Sequence, residues 1–203
     1  MKYREIEGDL IQLALEGKFD VIAHGCNCFC KQESGIAKQM SKVFHTAIDD
    51  RNWFSLENKK YKGNINKLGS IQMIPIFLYK NEHNYIAIYN HNITSISNYE
   101  TLNKGHNNGG YIVKEVLYVV NAYTQFMYGT NHKDGVNNPL DYEALTLCMR
   151  KINYTSKGKH IGLPKIGAGL ARGDWGKIKE IIQKELKDCN VTVVLYKSDK
   201  NDI

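Results

Sequence analysis

Hydrophobic residues along the chain fall into short runs separated by Gly, Asn and Asp, a pattern that predicts many short strands. Two of these runs, VIA at 21–23 and VVNA at 119–122, are nearly continuous, which is typical of strands buried on both faces of a sheet. Pro75 interrupts another run and predicts an edge or a bend, because proline cannot donate to the strand ladder. The predicted strands cover residues 3–7, 19–27, 70–79, 85–92, 113–126, 160–167 and 191–196.

Between these runs, apolar residues recur at intervals of three and four, which predicts helices. The predicted helices cover residues 9–15, 34–48, 139–152 and 174–186. Ser34 and Asp174 suit the starts of their helices, and Pro139 suits a first turn. The alternation of strands and helices predicts an α/β fold, a three-layer α/β/α sandwich with a mixed, mostly parallel sheet.

The chain of 203 residues is predicted to form one domain over residues 1–203. It has no internal repeat and no clear linker. Residues 80–112 include a polar stretch rich in Asn, Ser and Gly, which predicts a surface insertion rather than a second domain. The polar C-terminal tail is predicted to fray.

The net charge of +6, from 27 basic and 21 acidic residues, predicts a mildly basic solvated surface. An anionic ligand such as a nucleotide or nucleic acid is the alternative, although the lysines are scattered. No apolar run approaches the roughly 18 residues of a membrane span, so we expect no membrane partner. The charged N-terminus MKYREIEGDL and the odd number of cysteines, five, predict a cytoplasmic protein with reduced thiols.

Two segments that leave predicted strands and enter predicted helices carry glycine at the turn: HGCNCFCKQESGIAKQM at 24–40 and IGAGLARGDW at 166–175. Ligands of open α/β sheets lie beyond the carboxyl ends of the strands. Free backbone N–H groups at a helix start bind phosphate, because the unpaired donors and the helix dipole both favour an anion. The two segments together indicate a diphosphate held between them, and two ordinary tight turns are an equal alternative.

Five segments carry a resemblance to a known family: EGDLI at 7–11, DVIAHGCNC at 20–28, SGIA at 34–37, LPKIGAGLARGDW at 163–175 and VTVVLY at 191–196. In this order and spacing the chain resembles the macrodomains, which bind ADP-ribose, over nearly its whole length apart from the insertion. The form HGCNC followed by GIAKQ looks most like the branch that acts on ADP-ribose 1″-phosphate. The LPKIGAGLARGDW segment is similar to macrodomains carried by tailed bacteriophages.

The resemblance implies a set of ligand-binding residues. Asp9 would accept a hydrogen bond from the adenine amino group, Leu10 would lend a backbone N–H to the ring, and Tyr196 would stack on adenine. The first diphosphate loop would comprise Gly35, Ile36 and Ala37, and the second Ile166, Gly167, Ala168, Gly169, Leu170 and Ala171. Two alternatives stay open, Asp9 as a helix N-cap and Tyr196 as a tyrosine at the edge of the core.

The resemblance also implies candidate catalytic residues. Asn27 lies where related proteins hold the distal ribose, and His24 matches the histidine of the phosphatase branch. A histidine with a pKa near neutrality can move a proton at the 1″-position, and an inert, hydrogen-bonded histidine at a strand end is the alternative. Asp174 is a further candidate acid or base, or only a helix cap. Gln125 and Ala171 stand where the lysine-dependent deADP-ribosylating branch has Lys and Asp, which argues against a lysine nucleophile.

These residues predict a hydrolase that removes the terminal phosphate of ADP-ribose 1″-phosphate. The alternatives are a hydrolase that removes ADP-ribose from modified protein or nucleic acid, and a reader without catalytic activity. No cofactor and no metal site are expected, because Cys26, Cys28 and Cys30 lack the paired spacing of zinc ligands. We expect small buried or half-buried thiols there, with a cysteine nucleophile as an alternative. The expected partners are ADP-ribose, its 1″-phosphate or ADP-ribosylated macromolecules, and we expect a monomer.

Overall fold

A seven-stranded sheet lies at the centre of the fold. The computed structural model describes residues 2–47, 63–80, 85–88, 112–128 and 139–196. The strands are β1 (Lys2–Glu7), β2 (Val21–Asn27), β3 (Ile71–Lys80), β4 (Tyr85–Ile88), β5 (Ile112–Gln125), β6 (His160–Leu163) and β7 (Asn190–Leu195). They form one sheet in the order β1-β7-β6-β2-β5-β3-β4.

Most strands of this sheet are parallel. The pairs from β1 through β7, β6 and β2 to β5 are parallel, whereas β3 runs antiparallel to β5 and β4 antiparallel to β3. The predicted mixed, mostly parallel sheet is therefore confirmed. Pro75 pairs with β5 on one side only, because β4 reaches no further along β3 than Phe77–Lys80. This position at the open part of an edge suits a residue that has no N–H.

The described residues contain four α-helices: α1 (Leu10–Leu15), α2 (Gly35–Phe44), α3 (Tyr142–Thr155) and α4 (Trp175–Glu185). The helix that was expected to start at Pro139 begins at Tyr142, because the carboxylate of Asp141 accepts a hydrogen bond from the Ala144 amide and caps it. The predicted helix over 34–48 ends at Phe44, since His45 adopts a left-handed φ of 54°.

The two faces of the sheet bury separate apolar layers. Val21 and Ala23 of β2 pack with α3 and α4, whereas Ile22 between them packs with α1 and α2. The neighbouring residues Val120 and Val119 of β5 divide between the same two layers. Because strand side chains alternate in direction, near-continuous apolar runs are required here. The predicted three-layer arrangement is confirmed.

Part of the predicted insertion at 80–112 lies outside the described residues. Within it, β4 adds a strand beside β3. The insertion as a whole, the one-domain organisation and the frayed tail stay predictions. No helix in the described ranges is long and apolar enough to cross a membrane.

Gly162 of β6 is expected to be essential for packing α1 onto the sheet. A Cβ at this position would lie 2.7 Å from the Phe19 ring and 2.9 Å from Leu10, both of which are buried. We expect Gly162→Ala to lower the free energy of unfolding by about 1–3 kcal/mol, measured by urea denaturation. Gly169→Ala is the matched control, since a Cβ there meets no atom within 4 Å. Equal stability of the two variants would contradict this packing.

Candidate functional site

A cleft of about 520 Å³ opens at the carboxyl ends of β2, β5 and β6. Two segments form its walls. Loop A, residues 28–34, leads from β2 into α2, and loop B, residues 164–174, leads from β6 into α4. The predicted site residues that line the cleft are Asn27, Gly35, Ile36, Ala37, Ile166, Gly167, Gly169, Leu170 and Ala171. The two glycine segments identified in the sequence therefore share one cavity.

The N-terminus of α2 forms one wall of the cleft. Ser34 is its N-cap residue, but the Ser34 side chain makes no capping hydrogen bond. By contrast, an aspartate carboxylate caps each of α1, α3 and α4. Gly35, Ile36 and Ala37, the first residues of α2, line the cleft. A helix start without a side-chain cap retains its partial positive charge and its free donors, and so favours an anion.

Loop B contains glycines of two kinds. Gly167 has a left-handed φ of 75°, and a Cβ there would lie 2.9 Å from Leu140. The Gly173 N–H donates to the Gly167 carbonyl at 2.8 Å and closes the loop. Gly169 does not have a left-handed φ, and a Cβ there would meet no atom within 4 Å. Gly167 is therefore needed for the turn itself, whereas Gly169 leaves open space beside the cleft.

Loops A and B approach each other across the cleft. A Cβ on Gly35 would lie 3.7 Å from Leu170 Cδ1, and the Leu170 side chain is otherwise exposed. Ile166 and Ala171 are buried and fix loop B to the core. Ala168, also predicted as a ligand residue, packs against the core and does not line the cleft.

Asn27 lies at the end of β2 and organises loop A. Its Oδ1 accepts hydrogen bonds from the Phe29 and Lys31 amides, at 3.1 and 3.2 Å, and its Nδ2 donates to the Lys31 carbonyl at 2.7 Å. The Lys31 ammonium consequently lies in the cleft, 4.2 Å from the centre of the Tyr128 ring. A hydrogen bond with Tyr128 raises the pKa of Lys31 above its usual value. Lys31 therefore places a solvent-exposed positive charge at the cleft.

Several polar residues of the cleft were missed in the sequence. The cleft is also lined by Lys31, Glu33, Thr124, Tyr128 and Lys165. The charged side chains that line the cleft are therefore two lysines and one glutamate. The sequence signal for Lys31 and Glu33 was their position shortly after the end of a predicted strand. Thr124 and Tyr128 had no such signal, because only the fold shows that β5 brings them to the cleft.

His24 does not line the cleft. Its side chain is fully buried in β2, and Nε2 lies 2.7 Å from Asn121 Oδ1 of β5. The Asn121 amide nitrogen donates to Gln72 and to the Thr46 carbonyl, so its oxygen faces the ring and Nε2 carries the proton. Burial lowers the pKa of His24 to about 4. The histidine is therefore neutral and inside the sheet, as in the inert alternative.

Buried polar residues continue from His24 across the sheet. Gln72 of β3 accepts from Asn121 at 3.1 Å and lies 3.4 Å from the Tyr123 hydroxyl. The Lys67 ammonium, although only 3% of the residue is exposed, donates to the Tyr123 hydroxyl at 2.8 Å. No local pattern indicates a buried lysine at this position, because Tyr123 is distant along the chain.

Asp9, Leu10 and Tyr196 lie apart from the cleft but at the same edge of the sheet. They follow β1 and β7, whose last residues pair in parallel register. Asp9 caps α1, since its Oδ1 accepts from the Ile11 and Gln12 amides. Leu10 is buried, whereas Tyr196 is 69% exposed, which argues against a tyrosine at the edge of the core.

Asp174 also lies outside the cleft lining. Its carboxylate accepts a hydrogen bond from the Lys177 amide and caps α4. Of the three predicted catalytic residues, the structure therefore brings only Asn27 into the cleft, and the roles of all three in catalysis stay predictions.

The cysteines of β2 and loop A are buried thiols that form no disulfide. Cys26, Cys28 and Cys30 are each at most 3% exposed and pack around Tyr123. Cys26 Sγ lies 3.8 Å from His24 Nδ1. Within the described ranges, no group of three or more His, Cys, Asp and Glu residues is arranged to hold a metal ion. The predicted buried thiols are thus confirmed.

The buried His24 should make the stability of the protein depend on pH. The folded pKa of about 4 lies below the ordinary value of 6.5, so acid protonates the unfolded chain first. The contribution of His24 is complete above pH 6.5 and falls by about 3 kcal/mol as the pH decreases toward 4. NMR should show the His24 ring neutral down to about pH 5, and His24→Gln should flatten the pH dependence of unfolding. Protonation of His24 near its ordinary pKa would contradict its buried position.

The chain is similar to a known protein in sequence and to several solved structures in fold. No known family profile matches the sequence. An uncharacterized 17.5 kDa protein of Enterobacteria phage T4 is 28% identical in an alignment of 202 positions that covers 96% of this chain and 96% of the phage protein.

Solved structures share the architecture at lower identity. A macrodomain protein from Streptomyces coelicolor matches 98% of this chain and 100% of its own, with a TM-score of 0.56 and 18% identity. Thermosipho africanus DarTG, solved in complex with ADP-ribose, matches all of this chain over 43% of its own length, with a TM-score of 0.56 and 13% identity. These structures confirm the fold that the sequence resemblance implied. The chain has the macrodomain fold.

Proposed function

We propose that the cleft binds ADP-ribose, with the diphosphate between loops A and B. The observation that carries this proposal is the α2 N-terminus, which lacks a side-chain cap and faces the open glycine of loop B across one cavity. The donors and dipole of α2 would stabilise the diphosphate charge, and Gly169 would let it approach loop B closely. A fold alone does not select a ligand, but the ADP-ribose bound to Thermosipho africanus DarTG supports this choice over other diphosphates.

The strand order supports one orientation of the ligand. Asp9 and Tyr196 follow β1 and β7, the cleft follows β6 and β2, and neighbouring strands lie about 4.8 Å apart. Adenine would therefore lie near Asp9 and Tyr196, and the distal ribose near Asn27. Both capping bonds of Asp9 use Oδ1. Its Oδ2 can then accept the adenine amino group while Asp9 caps α1, so the two roles considered for it are compatible.

Gly169→Val should reduce ADP-ribose binding without reducing stability. Its side chain would occupy the open space beside the cleft, and the backbone there does not require a left-handed φ. We expect calorimetric titration to show ADP-ribose binding in preference to AMP and ATP, and an affinity at least about tenfold lower in the variant.

Gly158→Asn is the control for this experiment. Gly158 has a left-handed φ of 79° that Asn tolerates, and it lies outside the cleft lining. Its ADP-ribose affinity should equal that of the unmodified protein. Absence of binding by the folded protein would overturn the proposal, and equal affinities of the two variants would overturn the position of the diphosphate.

We further propose that the protein hydrolyses the terminal phosphate of ADP-ribose 1″-phosphate. The Lys31 ammonium beside Asn27 favours this substrate, because a phosphate on the distal ribose would meet a positive charge. A water oxygen would bond to phosphorus, the bond from phosphorus to the 1″-oxygen would break, and a proton would pass to that oxygen. Glu33 lines the cleft and is the carboxylate available to accept the water proton.

Lys31→Gln should lower kcat/KM for phosphate release at least about tenfold and leave ADP-ribose affinity nearly unchanged, because ADP-ribose lacks the terminal phosphate. Glu33→Gln should lower kcat. Lys38→Gln, on the exposed side of α2, controls for net charge.

Three outcomes of this assay separate the alternatives. Equal rates for Lys31→Gln and Lys38→Gln would contradict the role of Lys31. ADP-ribose binding without turnover would indicate a reader. Release of ADP-ribose from modified protein or nucleic acid, without phosphate release from the 1″-phosphate, would indicate the deADP-ribosylating alternative.

A further inference from the structure

A second cavity lies at the opposite edge of the sheet from the cleft, beside the amino ends of β1, β7 and β6. It has a volume of about 200 Å³ and is lined by Lys2, Arg4, His160, Asn190 and Thr192. Parallel pairing aligns Lys2 with Asn190 and His160, and Arg4 with Thr192. These side chains therefore share one face of three adjacent strands. We name this surface the basic groove.

Thr192 fixes two of the side chains in the basic groove. Its side chain is fully buried, and Oγ1 lies 2.9 Å from Arg4 Nε and 2.8 Å from His160 Nε2. The arginine bond uses Nε and leaves both terminal amino groups of the guanidinium for another partner. A guanidinium held in this way presents a fork of donors that matches the geometry of a phosphate.

The carboxylates near the basic groove have other partners and do not pair with Lys2 or Arg4. The side chains of β1 alternate in direction, so that Lys2 and Arg4 face the groove. Glu5 lies on the other face and pairs with Lys179 at 2.9 Å. The Asp20 carboxylate accepts the His160 backbone N–H at 2.7 Å and pairs with Lys159 at 3.7 Å. In the described part of the chain, no ion pair joins Lys2 or Arg4 to a carboxylate. The groove is thus a site of net positive charge without an internal counterion.

We propose that the basic groove binds a phosphate group, separately from the cleft. Arg4 would contribute its two amino groups, Lys2 a point charge and Asn190 an amide donor. The volume is less than half that of the cleft, which suits one phosphate group better than a whole dinucleotide. The group can come from a small phosphorylated molecule or from a nucleic-acid backbone, since the recognition chemistry is the same. This inference does not depend on the function proposed for the cleft.

His160 provides a reporter inside the basic groove. Its ring faces Arg4 of β1, Thr192 of β7 and the edge of the Phe19 ring, with the Lys18 carbonyl and Asp20 also close. Burial and then the positive charge of Arg4 lower the pKa of His160. An anion bound between Lys2 and Arg4 would favour the imidazolium form and raise this pKa. Binding should consequently strengthen as the pH falls.

The test is an NMR titration of the full chain with sulfate at constant ionic strength. Sulfate is a suitable probe because it keeps the same charge across the pH range in which histidine titrates. We expect saturable shifts at Arg4, His160 and Asn190 and a rise in the His160 pKa. In the double variant Lys2→Gln/Arg4→Gln, sulfate affinity should fall at least about tenfold. Arg4→Lys, which keeps the charge but loses the fork, should bind with intermediate affinity.

Lys184→Gln/Lys187→Gln is the charge-matched control, since both lysines are exposed and lie outside the groove. Its sulfate binding should equal that of the unmodified protein, and thermal melting should show that both double variants are folded. Equal sulfate affinity in the two double variants would overturn the proposal, as would the absence of any saturable shift.

Two further ligands distinguish the sources of the phosphate group. Inorganic phosphate represents a small molecule, and a short single-stranded oligonucleotide represents a nucleic-acid backbone. Tighter binding of the oligonucleotide, with a steep dependence on salt, would identify the backbone as the source. Equal or tighter binding of inorganic phosphate would identify a small molecule. Binding of neither in the groove would overturn the proposal.

Discussion

The limited pairing between β2 and β6 is the constraint on which the cleft depends. The two strands pair only at Val21 with Ile161 and Ile22 with Gly162, whereas β2 continues beside β5 as far as Asn27. Beyond Ile22 the sheet is therefore open between β2 and β6, and loops A and B emerge on either side of this gap. Gly25 lies at its floor, where a Cβ would meet Thr124 Oγ1 at 3.0 Å and Ile166 at 3.6 Å. Parallel strands that separate at their carboxyl ends make a crevice of this kind.

On the side of β2 that faces away from β6, a row of polar residues fixes the register of the strands. His24, Asn121 and Gln72 occupy paired positions on β2, β5 and β3 and are linked by hydrogen bonds. Because a shift of one residue reverses the direction of every side chain, such a shift would bury these groups without partners. The row therefore specifies the register of the central strands. This explains how a histidine can match a catalytic position in sequence and still lie inside the sheet.

Local patterns predict most of the fold, whereas long-range partners decide much of the site. Apolar periodicity predicts β2, β5, β7 and α4 close to their observed bounds, because each buries a continuous face. The glycine segments also predict the two loops, since Gly167 needs a conformation that other residues avoid. The burial of His24 and Lys67 follows instead from Asn121 and Tyr123, which are remote along the chain. The position of the Lys31 ammonium beside the Tyr128 ring depends in the same way on the fold, because Tyr128 is remote along the chain.

The anion sites proposed at the two edges of the sheet would rely on different physical means. At the carboxyl edge, the donors are backbone groups of α2, and omitting the side-chain cap costs about 1 kcal/mol of helix stability. Keeping these donors free is consistent with a site selected for a ligand rather than for stability. At the amino edge, the cations are the side chains of Lys2 and Arg4, and Thr192 orients the guanidinium. Short hydrogen bonds from backbone N–H groups to a bound phosphate are weakly screened by salt, whereas the attraction by exposed side-chain charges is screened more strongly. A diphosphate in the cleft and a phosphate in the basic groove would therefore respond differently to ionic strength, although both lie on the same sheet.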